Sequence, residues 1–139
     1  MILYMVNINN KIKAKVISFP NEYRRDVFTP YLINLGKKAQ ENHHERVQLT
    51  FLLKALDLMQ YVDFVDFPDE QNQFYQELEI TVDGETYSQS FELIKPLAKE
   101  NIYELRINLT QYNWRFRGIF FPYNYNGQQF YCFIYPFIK

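Results

Sequence analysis

The sequence predicts a single α+β domain: an N-terminal strand or hairpin, two helices, and a mostly antiparallel sheet ending in a three-stranded meander over 102–139. Three observations predict it. Polar and apolar residues alternate over 74–94 and again over 102–138, while apolar residues recur at helical spacing over 49–59. The helical and extended stretches are grouped rather than interleaved, which speaks against βαβ units. A length of 139 residues suits one hydrophobic core.

The chain opens with extended runs at 2–8 and 11–19, and Asn9-Asn10 between them suits a tight hairpin turn. Pro20-Asn21 ends the second run. A first helix is expected over 24–35, with Thr29 as N-cap, Pro30 at the first helical position and Gly36 as a stop or joint. The second helix spans roughly 38–61, where Leu49, Leu52, Leu53, Leu56 and Met59 form one apolar stripe. Charged residues from Lys37 to Lys54 cover much of the rest, so this helix needs a sheet to pack on. His43 and His44 are adjacent rather than four apart, which fits a solvated helix face better than a metal site.

Residues 62–72 hold four acids, two Phe and one Pro, and read as a solvated acidic connection. A strand over 74–82 with Tyr75, Leu78, Ile80 and Val82 then turns at Asp83-Gly84 and returns over 85–94. This loop and hairpin, about 62–90, are expected as an insertion within the single domain 1–139. The meander consists of strands at 102–108, 114–121 and 129–138, the last two joined through Pro122–Tyr125 and an Asn126-Gly127 turn.

Strand alternation assigns the faces of the meander. Tyr103, Leu105, Phe116 and Phe120 are expected toward the helices, and Arg106, Arg115 and Arg117 away from them. With Lys139 and nearby rings, that outer face combines cations for phosphates with aromatic surfaces for unpaired bases. Glu92, Glu100 and Glu104 are equally placed to neutralise the arginines on a solvated sheet.

Composition narrows the classes. A net charge of −1 rules out a global basic field, so nucleic-acid binding requires a local patch. Thirteen Phe and twelve Tyr can fill a core and still leave rings for a surface. The single cysteine, Cys132, lies in an aromatic run and reads as a small buried hydrophobe. No stretch approaches the ~18 apolar residues of a membrane helix. The apolar start, Met1–Val6, lacks the basic flank and cleavage site of a signal peptide, so a cytoplasmic protein with no membrane contact is expected.

The same strands carry a family resemblance. Ile102-Tyr103-Glu104-Leu105-Arg106, Phe116-Arg117-Gly118-Ile119-Phe120-Phe121 and Phe137-Ile138-Lys139 resemble, in order and spacing, the motifs of RelE/HigB-type toxins of type II toxin–antitoxin systems, phage-derived members included. The stretch Phe51–Leu58 is similar to the family's second helix. The resemblance covers 91–139 well and 11–61 loosely.

It implies a RelE-like fold and an mRNA endonuclease, acting on or off the ribosome, without metal or cofactor, and restrained by an antitoxin protein. By position it places Arg106, Arg117 and Lys139 at the scissile phosphate, Tyr135 or Phe137 under a base, and Lys95, Lys99 and Arg115 along the RNA. The rival reading is a toxin-like scaffold without catalysis that binds and inhibits or recruits a host protein through the 62–90 insertion. The acidic insertion, the near-neutral charge and the short last motif at Lys139 support it.

Overall fold

The computed structural model describes residues 2–5, 11–69, 71–99 and 101–139, the first four by their backbone alone. Among the described residues seven strands and two helices follow one another as β1 (Ile2–Met5), β2 (Ala14–Ser18), α1 (Phe28–Ala39), α2 (His43–Met59), β3 (Asn72–Val82), β4 (Glu85–Pro96), β5 (Tyr103–Leu109), β6 (Trp114–Tyr125) and β7 (Gln128–Ile138). They form an α+β fold with one sheet in the order β1-β3-β4-β5-β6-β7-β2. The ladders from β3 through β7 are antiparallel, whereas β1 joins β3 and β2 joins β7 in parallel.

The two N-terminal strands therefore do not form the hairpin expected at Asn9-Asn10, a pair that itself lies outside the described residues. They take opposite edges of the sheet. Local turn chemistry cannot reveal this, because each strand finds its partner among residues more than fifty positions away.

Helix α1 begins at Phe28, not at Pro30, and the cap comes from Asp26 rather than Thr29. The Asp26 carboxylate accepts from the Phe28 and Thr29 backbone N–H groups, both at 3.1 Å, a contact worth about 0.5–2 kcal/mol. Pro30 falls in the first turn, where its missing N–H costs nothing. The helix continues through Gly36 to Ala39 because Leu35 and Ala39, four apart, are both buried and hold it against the core.

Helix α2 starts at His43, after a turn over 40–42, so Lys37 and Lys38 belong to the last turn of α1. Its buried residues are Val47, Gln48, Phe51, Leu52, Ala55 and Met59. The apolar stripe is thus rotated from the leucine-based expectation. Leu53 is 49% exposed, and the large ring of Phe51 takes the central place, 5.4 Å from Phe91 of β4. A phenylalanine buries more area than a leucine, so it decides which way the helix turns.

The acidic connection does more than bridge. Phe64–Asp66 form a 3-10 turn, and Phe67 is buried among Tyr103, Phe120 and Tyr131 at centroid distances of 5.0, 6.0 and 5.0 Å. The Tyr131 hydroxyl donates to the Val62 carbonyl at 2.6 Å, tying this connection to β7. The carboxylates of Asp63 and Asp69 accept from backbone N–H groups two or three residues on, as turn-formers do. An apolar anchor with acids on its rim replaces the solvated loop.

The hairpin that follows turns at Asp83 and Gly84, with φ of 51° and 81°. Its strands are integral to the sheet, with Phe74, Leu78, Phe91 and Ile94 buried in the common core. In the meander, Leu105, Phe116 and Phe120 are fully buried on the helix side, and Tyr103 packs there against Phe67. Gly118 faces inward beneath aromatic rings: a Cβ there would lie 3.1 Å from Phe116 and 3.3 Å from Phe133. Pro122–Tyr125, expected as a loop, extend β6, and the chain turns at Asn126-Gly127 with φ of 50° and 81°. Cys132 is buried.

Candidate functional site

Directly opposed residues in antiparallel strands share a face. The β5–β6 ladder pairs Glu104 with Ile119, Arg106 with Arg117, and Asn108 with Arg115. The β6–β7 ladder adds Tyr135 opposite Ile119 and Phe137 opposite Arg117. The Lys139 backbone N–H donates to the Arg115 carbonyl at 2.9 Å, carrying the ladder one step further. On the outer face three rows result: Glu104-Ile119-Tyr135, Arg106-Arg117-Phe137, and Asn108-Arg115-Lys139. Lys95 stands opposite Glu104 from β4. All the residues singled out in sequence except Lys99 meet in this patch. Lys99 lies in the β4–β5 connection, where it lines a separate hollow of about 500 Å³ with Asp69, Asn101 and Tyr103.

The arginines are not free. Arg106 Nη1 lies 3.0 Å from Glu92, and its Nε lies 3.7 Å from Glu104. Arg117 Nε is 3.8 Å from the same Glu104 oxygen. Arg117 also donates through Nη1 to the Asn108 side chain at 2.7 Å and the Phe116 carbonyl at 2.8 Å. It is only 2% exposed, so it offers no open face to a ligand. Burial, then the neighbouring Arg106 charge, pushes its guanidinium pKa down, and Glu104 acts in the opposite direction. Glu100, a third expected counter-charge, lies outside the described residues.

Two donors remain. Among the described residues, the Nε atoms of Arg106 and Arg117 are buried without a hydrogen-bond partner in the protein. Both converge on Glu104 from distances too long for a hydrogen bond. An uncompensated buried donor costs about 1–3 kcal/mol, and here the Glu104 charge, 3.7 and 3.8 Å away, is what offsets it. The rim is more open: Arg115, Lys139, Lys95, Tyr135 and Phe137 are exposed.

A second cluster joins α2 to the hairpin tip. His43 Nδ1 is 2.6 Å from Asp83, and its Nε2 is 2.8 Å from the Tyr87 hydroxyl, which donates to Glu85 at 2.7 Å. Arg46 bonds the same Asp83 oxygen at 3.0 Å, and His44 packs on Tyr112 at 4.4 Å. His43 is therefore not merely part of a solvated face; it fastens the hairpin to the helix, while His44 stays exposed and packs on the β5–β6 connection. Forty residues separate His43 from Asp83, and no local spacing announces the contact. Tyr87 has its phenol pKa pushed up, first by its bond to Glu85 and then by Tyr112, so it is no tyrosinate nucleophile.

Among the described residues no group of three or more His, Cys, Asp or Glu is placed to hold a metal ion, and no helix is long and apolar enough to cross a membrane. No family model matches the chain, and no curated protein or solved structure matches it either.

Proposed function

We propose that the chain is a toxin-like mRNA endonuclease of the RelE/HigB type, cleaving without a metal and restrained by an antitoxin protein. One observation carries this reading. Arg106, Arg117 and Phe137, each from a different short motif, fall in a single cross-strand row on the outer face. Motifs separated by up to 31 positions thus converge on one spot, as the parts of a shared site would.

The roles follow from accessibility. Glu104 serves as the general base that takes the proton from a ribose 2′-OH, whose oxygen then attacks the adjacent phosphorus. The bond from phosphorus to the 5′ oxygen breaks, leaving a cyclic phosphate and a 5′ alkoxide that is protonated from solvent. Arg106, with Lys95, Arg115 and Lys139 around it, stabilises the charge on the phosphate oxygens. Phe137 or Tyr135 offers a ring to a neighbouring base. Arg117, enclosed and bonded to Asn108, is a positioning residue whose charge, with that of Arg106, fixes the Glu104 carboxylate.

The test uses purified chain and mRNA, with and without ribosomes, in the presence of a chelator. Wild type is expected to cut RNA and to arrest growth on expression, and Arg106→Ala and Glu104→Gln to lose both while their far-UV spectra stay native. A wild-type chain that is harmless and leaves mRNA intact in both settings overturns the reading.

A second reading rests on the neutralisation of the arginines by Glu92 and Glu104. In it the scaffold binds a host protein through 62–90, where Val65 is 84% exposed. Its complex would survive Arg106→Ala and weaken with Val65→Asp.

A further inference from the structure

Beyond the three rows, the outer face of β6 and β7 changes character. Phe121 stands opposite Cys132, Tyr123 opposite Phe130, and Tyr125 opposite Gln128, with Lys15 of β2 next to Phe130. Tyr123 and Tyr125 are 51% and 59% exposed, the two most open rings on these strands. Their planes are inclined by only 13° and their centroids are 6.5 Å apart. Two rings in direct contact would approach to about 3.5–4 Å, so these two do not touch face to face. A flat ring inserted between them would need about 7 Å, two carbon contact distances, which a small splay of exposed side chains provides. The charge around the pair is cationic at Lys15 and lacks a carboxylate on the facing positions of β6 and β7.

We infer that Tyr123 and Tyr125 hold one unpaired base of a single-stranded RNA whose phosphate lies at Arg106. This rests on the RNA-directed reading above and extends it to a second contact site. From Arg117, opposite Arg106, to Asn124, between the two tyrosines, the strand runs about 23 Å at ~3.3 Å per residue. A short RNA therefore reaches only one of the two sites, and a longer single strand spans both. A duplex cannot splay a base into the slot without unpairing it, which makes the substrate class single-stranded.

Fluorescence polarisation with 2′-O-methyl RNA strands, which cannot be cleaved, tests the inference on the full chain. A 12-nucleotide strand is expected to bind more tightly than a 4-nucleotide one. Tyr123→Ala/Tyr125→Ala should weaken the 12-nucleotide complex about ten-fold or more, and Tyr123→Phe/Tyr125→Phe should not. If the alanine variant binds like wild type while Arg106→Ala weakens binding, the slot is overturned and the RNA reading stands. If no strand binds the wild type, both fall. An alanine variant that instead dissociates a dimer in sedimentation velocity, with RNA affinity unchanged, assigns the tyrosines to a contact between copies and also overturns the slot.

Discussion

The two faces of one sheet solve opposite problems. The inner face carries Phe74, Leu78, Phe91, Leu105, Phe116, Phe120 and Phe133 against the helices, and every one of these is buried to 3% exposure or less. The outer face, over the same strands, keeps Glu92, Glu104, Arg106 and Asn108 at intermediate exposure and binds them into a polar network. Inside, shape and apolar area decide. Outside, each charge needs a partner, and among the described residues two buried guanidinium N–H groups have the Glu104 charge nearby but no hydrogen bond.

Substitutions can separate these two regimes. The largest effect is expected inside: Phe116→Ala removes a fully buried ring and should cost about 3–5 kcal/mol in urea unfolding. A loss below about 1 kcal/mol would mean that the core closes over the cavity. On the outer face, Glu104→Ala should cost about 1–3 kcal/mol, because Arg117 then loses its counter-charge while still enclosed. Gly118 is on the inner face too, and Gly118→Ala forces a methyl group against Phe116 and Phe133. It is expected to cost about 1–3 kcal/mol by the same unfolding measurement. Arg115→Ala, at an exposed site, should change stability by less than about 0.5 kcal/mol. If Glu104 and Arg115 prove equally dispensable, the outer network is a surface feature and the contrast between faces dissolves.

The smallest effect concerns the clasp between α2 and the hairpin. Hydrogen bonds from His43, then Arg46, hold the Asp83 carboxyl below its ordinary range. A carboxyl with a lowered pKa stabilises the fold above its unfolded value, about 3.9, and that contribution is lost as pH falls through the lower folded value. Asp83→Asn should therefore be less stable than wild type at pH 6, with the gap narrowing toward pH 3. A gap that is constant with pH would assign the contact to geometry rather than charge.

Much of the fold is legible in the residues. The meander, the Asp83-Gly84 and Asn126-Gly127 turns, and the inward set of Leu105, Phe116 and Phe120 all follow from period-two alternation and turn chemistry. Apart from the Asp26 cap of α1, which is local, the failures have a common physical cause. The edges taken by β1 and β2, the rotation of α2 around Phe51, and the burial of Phe67 are each decided by partners distant in sequence.

The candidate site divides in the same way. Glu104, Arg106 and Asn108 share a face by alternation alone, and that much can be read from spacing. The register that sets Arg106 against Arg117, and so buries Arg117, depends on the length of the β5–β6 connection. The His43-Asp83-Tyr87 contacts depend on how the hairpin crosses the helix.

The most direct test of the outer face as an RNA site is the salt-controlled affinity of the full chain for an uncleavable single strand, wild type against Arg106→Ala. The expected result is a loss of about ten-fold or more with an unchanged unfolding midpoint. Equal affinity of the two proteins, or no affinity in either, would contradict it.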